Sequence, residues 1–158
     1  MTAQVRDRRL RSQLRRAITV AEPSEIFNVS AYVFMECGYV VGAVQDADIY
    51  HRVEAAARGV TGLRRVTLHL PIAVTSGGDN DLMLVAEIKA RLTARHDVVQ
   101  SRVSVRVLNA RAVLLGVVGH EEQARVIEET EKIDAIAGVD NFMLSPEEGY
   151  ARLRLGVR

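Results

Sequence analysis

Asn28-Val29-Ser30-Ala31-Tyr32-Val33 and Arg102-Val103-Ser104-Val105-Arg106-Val107 carry apolar residues at every second position in the same phase, 74 positions apart. Period-two alternation marks a strand with one buried face. The same offset lays Val40-Val41-Gly42-Ala43-Val44 on Leu114-Leu115-Gly116-Val117-Val118, and Val53 on Ile127. With two residues inserted, Gly62-Leu63 falls on Gly138-Val139, and Val66 and Leu68 fall on Phe142 and Leu144. Upstream, Leu10 and Leu14 match Ile88 and Leu92. The chain therefore reads as two copies of one module of about 70 residues, a size at which independent folding is possible but marginal.

Each copy opens with an amphipathic helix, carrying Leu10, Leu14, Ala17 and Ile18 in the first and Leu84, Ile88 and Leu92 in the second. Two strands follow. Phe27 to Met35 alternates, Glu36-Cys37-Gly38 turns, and Tyr39 to Val44 returns; Val103, Val105 and Val107 alternate, Asn109-Ala110-Arg111 turns, and Ala112 to Val118 returns. Asp46 or Asp48 caps a second helix with Ile49, Val53, Ala56 and Val60, whose twin runs from about Glu121 through Val126, Thr130, Ile133 and Ala137. Each second helix ends near a glycine, Gly62 or Gly138, before a last strand. The expected fold is α+β: two tandem α-β-β-α-β modules, each a small three-stranded mixed sheet with two helices on one face. The expected boundaries are 1–72 and 81–145 for the modules, 73–80 for a linker with Ser76-Gly77-Gly78, and 146–158 for a C-terminal tail. In the tail Ala151, Leu153 and Leu155 alternate with arginines, as in an extra strand or a loose basic end.

An apolar fraction of 48% with 26% charged residues excludes a disordered or collagen-like chain. No stretch approaches the roughly 20 apolar residues of a membrane span. The net charge of +1 removes a global argument for nucleic acid, but its distribution is uneven. Residues 1–72 hold ten Arg and seven acids, net +3, while 73–158 hold eleven bases and thirteen acids, net −2. No apolar h-region follows the basic N-terminus, so an export signal is expected to be absent or already removed. Cys37, the one cysteine, has no disulfide partner and no metal-ligand spacing around it.

Catalytic patterns are poor. His51, His69, His96 and His120 lack metal spacing, and His120-Glu121-Glu122-Gln123-Ala124 lacks the second histidine of a zinc-protease helix. Nucleophile-elbow, phosphate-loop and dinucleotide fingerprints are absent, so no catalytic residue, metal or cofactor is assigned. Asp46 and Asp48 read as helix-start residues, and Asp79-Asn80-Asp81 as linker and cap. Gly59-Val60-Thr61-Gly62 matches the GXXG of an RNA-binding loop, but it joins a helix to a strand, its middle residues are uncharged and the second copy lacks it. Gly42 and Gly116 are expected to serve close packing or a bulge in the returning strand.

The ordered pattern, a helix, then the strand pair NVSAYVFMECGYVVGAV (28–44), then a helix running into ARGVTGLRRVTLHL (57–70), resembles the BON module of bacterial envelope proteins. The second copy, RVSVRVLNARAVLLGVVGHEEQARVIEETEKIDAIAGVDNFML (102–144), resembles it more closely, through Val113-Leu114-Leu115-Gly116-Val117-Val118 and Gly138-Val139. The resemblance covers roughly residues 5–144 and is similar in its doubling to tandem BON proteins linked to osmotic stress and outer-membrane integrity. It implies a non-enzymatic periplasmic or outer-membrane-associated protein whose ligand is anionic phospholipid. It also implies membrane contact through the second module's first helix, about Asp81 to Arg95. The lipobox cysteine and signal peptide of lipoprotein members are missing, and the larger positive charge lies on the other module's helix.

Two helix faces are candidates for lipid binding. At 100° per residue Arg8, Arg9, Arg11, Arg15 and Arg16 share one face opposite Leu10, Leu14 and Ala17. Such a face attracts anionic lipid at about 1 kcal/mol per Arg near the surface, although charge runs are usually just a solvated face. On the second module's helix Met83 points away from the core, with Leu82 at its edge and Lys89, Arg91 and Arg95 nearby. The alternative is burial of Leu82 and Met83 at a joint. The expected partner is an anionic membrane surface, with no nucleic acid. The rival is docking of an envelope protein at a contact that buries Leu82, Met83 and Tyr150.

Overall fold

The computed structural model describes residues 2–25, 28–72 and 79–147. Phe27, most of the expected linker, Tyr150 and the alternating part of the tail lie outside the described residues. The chain forms two compact units, one holding the described residues up to 72 and the other those from 79. The first unit contains α1 (Ala3–Ala21), β1 (Val29–Phe34), β2 (Cys37–Gly42), α2 (Ala47–Arg58) and β3 (Arg65–His69). The second contains α3 (Asp79–Ala94), β4 (Val103–Leu108), β5 (Arg111–Gly116), α4 (His120–Glu131) and β6 (Gly138–Asn141). Asp79 and Asn80, expected in the linker, are thus the start of α3.

Each sheet is three-stranded and mixed, with the returning strand at its centre. β1 pairs antiparallel with β2, and β3 parallel with it; β4, β5 and β6 repeat the arrangement. Alternation along β1 and β4 sends Ala31, Val33, Val105 and Val107 toward the helices, where they meet Leu14 and Val53 or Ile88 and Val126. Leu14 and Leu92 are completely buried, which is worth about 2 kcal/mol each.

The two units superpose in sequence more tightly than their pattern suggests. Leu10, Leu14 and Ile18 are buried as Leu84, Ile88 and Leu92 are, so the first helices match at the same 74-residue offset as the strands. Matching Leu10 to Ile88 is one helical turn out of register. Beyond the returning strands the offset falls by one rather than rising by two. Cys37 faces Arg65 as Arg111 faces Gly138, and the Arg64 N–H donates to Glu36 O as the Ala137 N–H donates to Ala110 O. Val53 accordingly corresponds to the fully buried Val126, not Ile127, and Leu70 to Met143. Gly62 and Gly138 are not equivalent: Gly62 lies past α2 with φ +102°, whereas Gly138 begins β6 beneath the Arg111 guanidinium. Ala137, expected on the core face, is exposed.

The first hairpin turn sits one to two residues earlier than expected, whereas the second falls on the expected Asn109-Ala110. Met35 and Glu36 have φ 52° and 64°, and Asn109 and Ala110 have φ 51° and 65°, the signature of a two-residue type I′ turn. None of the four is glycine, and Met35, Glu36 and Ala110, which unlike Asn109 rarely adopt this conformation, cost about 1–2 kcal/mol each. The offset comes from the first helices. Asp7 accepts from the Met35 and Glu36 N–H groups at 2.8 and 2.9 Å, and Asp81 accepts from those of Asn109 and Ala110 at 3.0 Å each. Asp81, read as linker and cap, is therefore a clamp on the hairpin. Gly42 and Gly116 serve close approach as expected: a Cβ on either would stand 2.1 Å from a backbone oxygen, that of Asn28 or Arg102. Asp46 caps α2 by accepting from Ile49 N at 2.8 Å, while α4 begins at Gly119 without a side-chain cap.

Candidate functional site

Burial of Leu10, Leu14 and Ile18 turns the opposite face of α1 to solvent. Arg8, Arg9, Arg15 and Arg16 lie there, all exposed, and none has an ion-pair partner among the described residues. They span about 12 Å at 1.5 Å per residue. Val5 and Val20, 49% and 75% exposed, flank them. The remaining arginines of α1 act within the unit. Arg6 pairs with Glu36, and Arg11 donates to Ala31 O at 2.9 Å with its guanidinium 5.1 Å from the Tyr32 ring centre. Arg11, expected on the basic face, therefore belongs to the edge of the sheet. Burial works to raise the Glu36 carboxyl, but hydrogen bonds and charge from Arg6 and Arg64 outweigh it and hold the group below the usual glutamate range.

On α3 the expected residues separate into two groups. Leu82 and Met83 are 62% and 69% exposed, and Lys89 is exposed without an ion pair among the described residues. Arg91 and Arg95 are engaged within the unit. Arg91 lies 3.5 Å from Glu87 and 3.9 Å from Glu129, and Arg95 lies 2.8 Å from Asp97 and 3.3 Å from Glu129. The hydrogen bond from Arg95 is the main reason the Asp97 carboxyl sits below its usual range; that from Lys132 does the same for Glu129. These pairs tie α3 to α4, so Arg91 and Arg95 are not free cations.

The 74-residue offset reveals a relation between the two candidate faces. Arg8, Arg9, Arg15 and Arg16 occupy the positions of Leu82, Met83, Lys89 and Ala90. One helix face is therefore exposed in both units, strongly cationic in the first and largely apolar in the second. Matching the helices one turn apart concealed this equivalence, and the Asp7 and Asp81 clamps reveal it.

Among the described residues no group of three His, Cys, Asp or Glu side chains could hold a metal ion, and Cys37 is buried. No helix among them is long and apolar enough to cross a membrane. The structural glycines Gly42 and Gly116 lie in the sheets, away from either helix face.

No curated protein matches the chain. Two solved structures are distantly similar. One, of CdsD, a structural protein of the type III secretion system of Chlamydia trachomatis, is 16% identical, covering 94% of this chain and 68% of that one with a TM-score of 0.37. The other, of the CdsD C-terminal domain, is 14% identical, covering 88% of this chain and 66% of that one with a TM-score of 0.36. The BON domain matches residues 80–144, the whole α3-β4-β5-α4-β6 unit. That unit of the chain belongs to the BON domain family.

Proposed function

We propose that the protein is a non-enzymatic periplasmic or outer-membrane-associated module that binds anionic phospholipid surfaces, with a role in envelope integrity or osmotic-stress protection. The observation that carries this reading is the unpaired, exposed set Arg8, Arg9, Arg15 and Arg16 on one face of α1. The BON match supports it, because that family is one of envelope-associated modules. The first unit, which shares the second's topology and register, is proposed as a further BON module. On the second unit the matching contribution is Leu82 and Met83 entering the headgroup layer with Lys89 beside them.

Each arginine near an anionic surface contributes about 1 kcal/mol, and salt screens it. Co-sedimentation with anionic vesicles at low salt should therefore show binding that weakens at high salt and is missing with neutral vesicles. Replacing all four arginines by Glu should lower affinity by at least about three orders of magnitude. Binding indifferent to lipid charge and salt would overturn the reading. The exposure of Leu82 and Met83 favours a second one, docking of an apolar envelope protein on α3. On that reading Met83→Ser, and not the charge reversal, abolishes partner capture.

A further inference from the structure

Between the N-terminal half of α1 and the turn after α2 lies an open groove of about 610 Å³. Its floor is apolar, made by Leu10 and Val60, and its rim carries Arg9, Gln13 and Thr61. Gly62 completes it with φ +102°, and a Cβ there would press on Leu10 Cδ2 at 3.1 Å. The Gly59-Val60-Thr61-Gly62 turn, without a role as an RNA-binding loop, is thus one wall of this groove.

The electrostatics of the groove favour an anion. Arg6 also borders it but is paired with Glu36, which Arg64 neutralises further. The Asp7 carboxylate accepts the two turn N–H groups, and the first turn of α1 contains no acid. The carbonyls at the end of α2 are partly capped, since Ala55 O and Ala57 O accept from the Gly59 and Val60 N–H groups. Arg9 is left as the uncompensated charge of the rim.

The fold does not require this chemistry. In the second unit Arg9 is replaced by Met83, Gln13 by Glu87 and Thr61 by Asp134. There no cation stands in the place of Arg9, Glu87 is paired with Arg91, and the Asp134 carboxylate would repel the anion that the first unit attracts.

We propose that the first unit's groove binds a phosphoester group, its charge met by Arg9, its oxygens by the Thr61 hydroxyl and the Gln13 amide, and its carbon chain by Leu10 and Val60. This deepens the membrane reading by naming the lipid group held, and rests on that reading only for the carrier. A headgroup glycerol phosphate and a soluble one share the chemistry.

The test is a titration of the full chain with glycerol 3-phosphate at low salt, followed by amide ¹H–¹⁵N spectra. Saturable shifts at Thr61, Gly62 and Leu63 are expected, abolished by Arg9→Gln or Thr61→Val and kept by a change at the exposed Arg65 of β3, Arg65→Gln. In parallel, Thr61→Val should weaken binding to phosphatidylglycerol vesicles about fivefold, the effect of one lost hydrogen bond, although no charge changes. If glycerol phosphate binds in the groove but Thr61→Val leaves vesicle binding intact, the site stands and its carrier is soluble. Vesicle binding without groove shifts, or shifts spread evenly over Arg8, Arg15 and Arg16, overturns the groove and leaves the membrane reading standing. Absence of both kinds of binding overturns both.

Discussion

The first helices of the two units bury the same stripe and clamp the same turn, yet the face that each turns to water differs in kind. Arg8, Arg9, Arg15 and Arg16 in α1 stand where α3 has Leu82, Met83, Lys89 and Ala90. The buried positions keep their character because the sheet beneath them is the same; the outer positions bear no such constraint. A cationic face acts at a distance and depends on salt, whereas an apolar one acts only on contact. Beside the exposed Lys89, the cations at the end of α3, Arg91 in its last turn and Arg95 just past it, are tied to acids of the same unit. The pair of units thus combines a surface suited to attraction with one suited to insertion.

The largest effects that would sharpen this comparison lie in the shared frame. Gly116→Ala places a Cβ 2.1 Å from the Arg102 oxygen at φ +139°. Clash and strain together should cost about 3–5 kcal/mol, enough to unfold the second unit. Gly42→Ala meets the same clash at the Asn28 oxygen without the positive φ and should cost about 1–3 kcal/mol in the first. Amide exchange read unit by unit distinguishes them, and equal losses would contradict the geometry.

Next in size is a graft between the faces. In a chain whose four α1 arginines are replaced by Glu, Leu82→Arg with Met83→Arg should restore about thirtyfold of the lost affinity for anionic vesicles, since two cations add about 2 kcal/mol. Vesicle sedimentation reads this, and no recovery would mean that the faces are not interchangeable.

An effect of similar or smaller size concerns the clamps. Asp81→Ala leaves two turn N–H groups without their acceptor and should cost about 2 kcal/mol. Asp7→Ala should cost less, because Glu36 is still held by Arg6 and Arg64, whereas the second unit has Ala110 at that position. The Glu36 carboxyl is held below its ordinary value of 4.5. Its stabilisation is therefore complete above that pH and is lost as the pH falls through the lowered value. Denaturant melts should show Glu36→Gln weakening the first unit at pH 7, by an amount that shrinks as the pH falls through the lowered value.

The strands, their order and their pairing were legible because alternation is a local pattern with one buried face. The helix register was not. Leucine-like residues four apart in both helices allow a match shifted by one turn to look as good as the true one. Gly62 and Gly138 misled in the same way, since one ends a helix turn and the other starts a strand. The residues that settle the register, Asp7 and Asp81, act on backbone 28 positions away and leave no local signature. The basic face of α1 was visible on a helical wheel, but the engagement of Arg95 by Glu129 was not, because a wheel contains no second helix. The groove joins Arg9 to Thr61, and its parts come together only through the packing of α1 against α2.

The left-handed residues of the two turns also bear on the order of events as each unit folds. A lone hairpin is marginal in water, and each of these would carry two left-handed residues without the carboxylate that relieves them. The relief arrives only when α1 or α3 docks. Helix and turn should thus enter one nucleus together, its formation limited by closure of a loop of 28 residues rather than by local zippering. Asp81→Asn should then slow folding of its unit nearly as much as it lowers stability, with the unfolding rate little changed.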